Sequence, residues 1–464
     1  MRSSIEEKLD QLKACVHCGM CLSACPTYLT TGNEGHSPRG RLYLIRDFVE
    51  QTVTASHHPA SNEAISSPVI ARSVSNEAIH YLDACLSCQA CETACPSGVE
   101  YASILDYARH KAKLTKHNQG FWAFIRKLAF KYLLPNRKLL NILRSAQRSV
   151  IARNEVTKQS PCNTKQSKPQ PRHCEPAGRS NPLRKISLLL NLIPKTKNNY
   201  KQILTNYTYT SKNPNHKTVS LPLGCVMDTL YNHVHWDTIK VLNHLGYDVY
   251  IPDTDCCGAL ASHSGEYDIG AKQTEETLNI LSRNQYPVVF NSAGCGAHLK
   301  HHCKPRHCEE RSDEAIPNPV IARSVSDEAT PHILDFIELI HQDLTKLKLK
   351  NTQPLTATYH PACHLNHAQG IRTEYQELLK LIPNLTLIPL LEADVCCGSA
   401  GFYNLIKPEE AAEIGARKAQ NIELSKAGIL ITANPGCISQ IQAHLGNNIE
   451  VVHPISLIAK YLDD

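Results

Sequence analysis

Two cysteine runs constrain this chain more than anything else in it. Residues 15–26 read Cys15-Val-His-Cys18-Gly-Met-Cys21-Leu-Ser-Ala-Cys25-Pro26, and residues 85–96 read Cys85-Leu-Ser-Cys88-Gln-Ala-Cys91-Glu-Thr-Ala-Cys95-Pro96. Both have the spacing C-x2-C-x2-C-x3-C-P, the run that serves a pair of [4Fe–4S] clusters. Three close thiolates wrap one cube, and the fourth points away toward the other. The expected ligation is therefore crossed: Cys15, Cys18, Cys21 and Cys95 for one cluster, Cys85, Cys88, Cys91 and Cys25 for the other. Pro26 and Pro96 turn the chain away and bring no competing N–H. A single C-x-x-C also suits zinc or a redox dithiol. Two full runs in tandem suit zinc poorly, because zinc takes its four ligands as two pairs.

The chain has 464 residues, 20 of them cysteine, and a net charge of +6. So many cysteines would mark a disulfide scaffold if the chain were short and secreted. It is long, and Met1-Arg-Ser-Ser-Ile-Glu-Glu-Lys-Leu-Asp10 has no apolar signal core. No stretch approaches the roughly 18 apolar residues of a spanning helix. The expectation is a cytoplasmic protein whose thiols are kept for metal. The basic residues are dispersed and aromatics are few, so no nucleic-acid partner is expected.

Residues 1–118 read as a small α-helical two-cluster ferredoxin domain, each cluster loop followed by a helix. Residues 119–216 read as a basic helical connector, linker and insert. Its stretch 121–148 mixes basic and apolar positions at helical spacing, which suits either a membrane-surface or partner-docking element or an ordinary packed connector. Ser61–Ile79 recurs at Ser312–Thr330 with 14 of 19 positions identical, and Pro171-Arg-His-Cys-Glu recurs at Pro305. These copies sit at irregular intervals, so they are no solenoid. They resemble repeat-derived inserts at about 56–79 and 304–330, looped out where added length costs little. Cys162, Cys174 and Cys308 accordingly receive no metal role.

From residue 217 the pattern changes to strand–helix–strand–helix–strand, once over 217–303 and again over 331–464. The fold class is therefore α plus α/β, with two duplicated parallel-sheet modules. Each module carries cysteines just after its strands: Cys225, Cys256, Cys257 and Cys295 in the first, Cys363, Cys396, Cys397 and Cys437 in the second. Parallel α/β sheets bind ligands beyond the carboxyl ends of their strands. Each quartet is thus a candidate for a further cluster or a zinc ion. His298, His360 and His364 lie near these segments and are read as structural.

The tandem runs, the segment Pro38-Arg-Gly-Arg41-Leu-Tyr-Leu-Ile and the two Cys-Cys-Gly modules together resemble the iron–sulfur subunit of glycolate oxidase. Lactate-utilisation and anaerobic glycerol-3-phosphate dehydrogenase subunits and heterodisulfide reductase are its relatives. The fuller heterodisulfide reductase module ends in C-x-x-C, whereas here the last position is His298 or Gln440. The resemblance implies an oxidoreductase subunit that takes electrons from FAD-containing partner subunits oxidising glycolate to glyoxylate. It would pass them toward quinone, with possible peripheral contact on the cytoplasmic membrane face. No G-x-G-x-x-G follows a strand, so FAD is expected on partner subunits only, and no catalytic residue is assigned. The Cys-Cys-Gly modules are either the electron exit or a dock. A thiol–disulfide oxidoreductase and a zinc-stabilised scaffold are the other classes. Arg39 and Arg41, near the first loop, either raise one cluster's potential or pair with a partner's carboxylates, and the pairing is the expectation.

Overall fold

The computed structural model describes residues 11–57, 78–114, 127–133, 136, 202–212, 217–303, 331–401, 403–446 and 448–463. Most of both expected inserts, nearly all of 119–216, and Cys162, Cys174 and Cys308 lie outside these residues.

The amino-terminal part is helical. Pro26–Thr31 starts with proline at its first turn, where a missing N–H is harmless, and ends on left-handed Gly32. The helix Pro38–His57 begins the same way. The Ser37 hydroxyl accepts from the Gly40 N–H at 3.0 Å, which makes it the cap. A Cβ on Gly40 would stand 2.0 Å from the Glu34 carbonyl oxygen, so only glycine admits that approach. Leu12, Leu42, Ile45, Leu82, Ile104 and Leu105 form the core of this part, with Cys15, Cys85, Cys91 and Cys95 packed on its edge.

Two sheets follow. The first has the order β1-β3-β2-β4-β5, with β1 Tyr207–Tyr209, β2 Lys217–Ser220, β3 Tyr247–Ile251, β4 Val288–Phe290 and β5 Ile333–Asp335. All its pairings are parallel except β1 with β3. The second has the order β7-β6-β8-β9, all parallel, with β6 Leu355–Tyr359, β7 Leu385–Ile388, β8 Ile429–Ile431 and β9 Glu450–Val452. The central strands are continuously apolar where helices cover both faces, as Val288–Phe290 and Ile429–Ile431 are.

The first module is wider than its expected span of 217–303. It takes β1 from the expected linker and β5 from the start of the expected second module. Both are three-residue strands, too short to carry a period of two. One core runs through both sheets, from Val219, Leu221 and Val249 to Ile429, Leu430 and Ile458. The module rims meet where Ala293 N donates to the Ala433 carbonyl and His453 contacts the Asn291 carbonyl at 3.0 Å.

Asp335 caps the short helix Phe336–Ile340 in a capping box with Glu338, and it accepts a 2.7 Å hydrogen bond from Tyr375. Burial pushes its carboxyl up to about 7, against the opposing Tyr375 bond. The folded state therefore binds this proton more tightly than the unfolded chain does. Its stabilising contribution is full below about pH 4 and is lost as pH rises through about 7. Asp335→Asn keeps the cap and should flatten that slope. Urea unfolding at pH 5.5 and 8 should show wild type losing at least about 1 kcal/mol more than the variant.

Candidate functional site

The two cysteine loops share a backbone. His17 and Gly19 flank Cys18 with φ of 54° and 83°, and Ser87 and Gln89 flank Cys88 with φ of 51° and 60°. Left-handed residues at these positions gather backbone N–H groups into a concavity that favours anions. The Ser87 N–H lies 3.5 Å from Cys85 Sγ and the Tyr101 hydroxyl lies 3.6 Å from it, both as donors.

Cys25, although it belongs to the first run, lines one cavity with Cys85, Cys88 and Cys91. Arg41, Thr27, Leu86, Gln89 and Tyr101 are among its other lining residues. The remaining set is more open: Cys18 is exposed, and Cys15, Cys21 and Cys95 are half-buried. Val16 and Met20 at the tip of this loop are 67% and 58% exposed. The first loop thus faces solvent, while the second is enclosed.

Arg41 is fully buried beside the cavity. It donates to the Tyr81 carbonyl at 2.7 Å and to Thr27 Oγ1 at 3.0 Å, and its Nη1 lies 3.9 Å from Cys25 Sγ. Arg109 is buried too and donates to Ser87 Oγ and to the Leu82 and Cys85 carbonyls. Neither cation forms a direct ion pair with a carboxylate among the described residues, although Asp83 and Asp106 act on Arg109 from a distance. A buried charge without a counter-charge is costly. Burial pushes the Cys85 thiol up, but the charges of Arg41 and Arg109 outweigh it and hold the thiol below its ordinary range. Thiolate is therefore the natural counter-ion. Four cysteines around one cavity, N–H and O–H donors on sulfur, and two buried guanidiniums fit an anionic four-thiolate cluster. When bound, such a cluster supplies a one-electron carrier.

The expected pairing of Arg39 and Arg41 with a partner's carboxylates does not hold. Arg41 is inside the protein. Arg39 is bound at 2.5 Å to Glu34 of its own chain, and its Nη1 donates to the His17 carbonyl. The motif Ser37-Pro-Arg-Gly-Arg41 marks the helix start, and the helix start in turn places Arg41. Nothing local in the sequence marks Arg109.

In both modules the cysteines cluster at the carboxyl ends of three adjacent strands, around the central strand where the order reverses. Cys225 follows β2, the doublet Cys256–Cys257 follows β3, and Cys295 lies in the first turn of the helix Ala293–Cys303 after β4. Cys225 and Cys256 sulfurs are 3.4 Å apart. In the second module, Cys363 and Cys396 are 4.0 Å apart and Cys397 and Cys437 are 3.4 Å apart. The glycine of each doublet is left-handed at φ 87°. A Cβ there would meet the Gly270 carbonyl at 2.4 Å or the Ala411 carbonyl at 3.0 Å. Of the eight cysteines only Cys295 is not buried.

The enclosed loop docks on the second module. Leu86, Cys88 and Ala90 share one buried cluster with Cys363, Cys396, Tyr403, Ala411 and Ile414. Arg417 donates to the Leu29 carbonyl at 3.1 Å, and His367 contacts Thr93 Oγ1 at 3.0 Å across the same seam. Leu86→Ala should cost about 2–5 kcal/mol of stability through the cavity left there. It should also sensitise this seam to limited proteolysis before the module sheets, as pulse proteolysis would register.

Residues 11–99 match the 4Fe-4S dicluster domain, and residues 219–300 and 357–442 match the cysteine-rich domain. A "Probable glycolate oxidase iron-sulfur subunit" from Bacillus subtilis is 30% identical over 99% of this chain and 96% of its own length. This chain belongs to the glycolate oxidase iron–sulfur subunit family. A "Glycolate oxidase iron-sulfur subunit" from Escherichia coli is 28% identical over 97% of this chain and 94% of its own length. "Lactate utilization protein A" from Oceanobacillus iheyensis is 28% identical over 51% of this chain and 93% of its own. Members of this family are iron–sulfur electron-transfer subunits of oxidoreductase complexes. No helix among the described residues is long and apolar enough to cross a membrane.

Proposed function

We propose that this chain carries electrons from FAD-bearing partner subunits, which oxidise glycolate to glyoxylate, toward quinone. It does so on two [4Fe–4S] clusters with crossed ligation. Cys15, Cys18, Cys21 and Cys95 hold the entry cluster at the exposed first loop. Cys85, Cys88, Cys91 and Cys25 hold the enclosed one. The observation that carries this reading is the single cavity lined by Cys25, Cys85, Cys88 and Cys91, with buried Arg41 at its wall. A flavin delivers two electrons and a cluster takes one, so two clusters in series suit the exchange. The buried cluster that Cys88 shares with Cys363 and Cys396 supports an electron exit along the seam beside the second module. Peripheral contact with the cytoplasmic membrane face completes the path to quinone.

The thiol–disulfide alternative asks for thiols that a disulfide can reach. Seven of the eight module cysteines are buried, which favours the relay instead. The test is anaerobic rapid mixing of the purified chain with the flavin-bearing subunits. Glycolate should bleach the visible iron–sulfur absorption within turnover time, and lactate or glycerol 3-phosphate should do so more slowly. Faster bleaching with lactate would reassign the substrate, and none with any 2-hydroxy acid would overturn the relay.

A further inference from the structure

The two modules repeat the same cysteines but not the same surroundings. Three residues before Cys225 stands Pro222, and three residues before Cys363 stands His360. His360 is 1% exposed at the end of β6. Its Nδ1 lies 3.2 Å from the Ala393 carbonyl, which fixes the ring proton on that nitrogen. Its Nε2 is buried with no hydrogen-bond partner. Leaving a buried polar atom unpaired costs about 1–3 kcal/mol, so such an atom in a well-packed core asks for a ligand.

Two buried thiols lie close to that nitrogen. His360 Nε2, Cys397 Sγ and Cys437 Sγ all lie within 4.8 Å of one another, the one such trio among the described residues. Tetrahedral zinc with Zn–S near 2.3 Å and Zn–N near 2.0 Å needs donor separations of about 3.3–3.8 Å; the two sulfurs already stand 3.4 Å apart, and all three donors lie within 4.8 Å of one another. The Asn434 amide donates to Cys437 Sγ at 3.6 Å, which orients this sulfur. Lys418 is buried, with Nζ on the Glu392 and Ala393 carbonyls.

We propose that His360 Nε2, Cys397 and Cys437 bind a single zinc-type divalent cation, making the second module a mixed nitrogen–sulfur site unlike the first. The ion replaces the two thiol protons, which leave to solvent on binding. Two thiolates neutralise its charge. An imidazole and two thiolates select a borderline-soft metal over magnesium or calcium. The expected reading of His360 as merely structural is thereby replaced. This inference does not depend on the relay, since the ion carries no electron.

The test uses the full-length protein purified anaerobically, with metal analysis and zinc-edge X-ray absorption. About one zinc per chain is expected, with imidazole and sulfur in its first shell. His360→Gln should lower zinc content at least about tenfold while iron stays near the wild-type level. Cys225→Ser, in the first module, should leave the zinc in place. Wild-type protein without zinc, zinc lacking imidazole scattering, or zinc retained by His360→Gln would each overturn the proposal. The first two need no variant to fold. Iron content reports the relay separately, so loss of one reading does not imply loss of the other.

Discussion

Serine at Cys25 is expected to remove the cluster of the second run and spare that of the first. Cys25 sits in the first run by sequence but lines the cavity of Cys85, Cys88 and Cys91. Iron should fall from about eight to about four per chain, the loss of one four-iron cluster. The residual EPR spectrum of the reduced protein should match that of Cys88→Ser and differ from that of Cys18→Ser. Uncrossed ligation predicts the opposite grouping, with Cys25→Ser resembling Cys18→Ser. The effect is large because an oxygen ligand at a buried, cation-flanked position replaces the thiolate that both the donor set and the local charge favour.

Methionine at Arg41 should shift the potential of that same cluster downward by roughly 100 mV. Arg41 Nη1 lies 3.9 Å from Cys25 Sγ, and a unit positive charge at a separation of about 6 Å and an effective dielectric near 20 is worth about 3 kcal/mol of attraction for an added electron. Removing it makes reduction harder, so the sign is negative. Methionine keeps most of the buried volume, but it leaves the Tyr81 carbonyl and Thr27 hydroxyl without their donor. A stability loss of about 1–3 kcal/mol should accompany the shift. Arg39→Gln is the control: Arg39 is bound to Glu34 at the surface, where charge is screened. Its effect on potential should be a small fraction of that at Arg41. Redox titration followed by EPR separates the two clusters and reads both variants.

These two residues also mark how far the sequence could be read. The cysteine spacing and the strand-then-cysteine order of the modules are covalent and local, so they survive translation into one dimension. The helix Tyr267–Leu281 and the strand Tyr247–Ile251 carry periods long enough to be seen. The strands Tyr207–Tyr209 and Ile333–Asp335 are not visible, because three residues have no period and their pairing is settled by the neighbouring strand. Arg41 was legible as part of a motif but not as a buried cation, since burial depends on Tyr81 and Thr27 arriving from either side. Lys418 and His360 are of the same kind. Each takes its meaning from a loop more than 25 residues away, around Glu392 and Ala393. The helix starts that hold Cys295 and Cys437 carry no signal of their own in the sequence, because both follow a strand by only a few residues.

The most direct test of the relay is quantitation of iron and acid-labile sulfide in the anaerobically purified chain, with EPR before and after reduction. Crossed ligation of two cubes predicts about eight iron and eight sulfide per chain. It also predicts a reduced spectrum broadened by coupling between two nearby paramagnets, which simplifies in Cys25→Ser. About four iron, or two sets of signals with no mutual coupling, would contradict it.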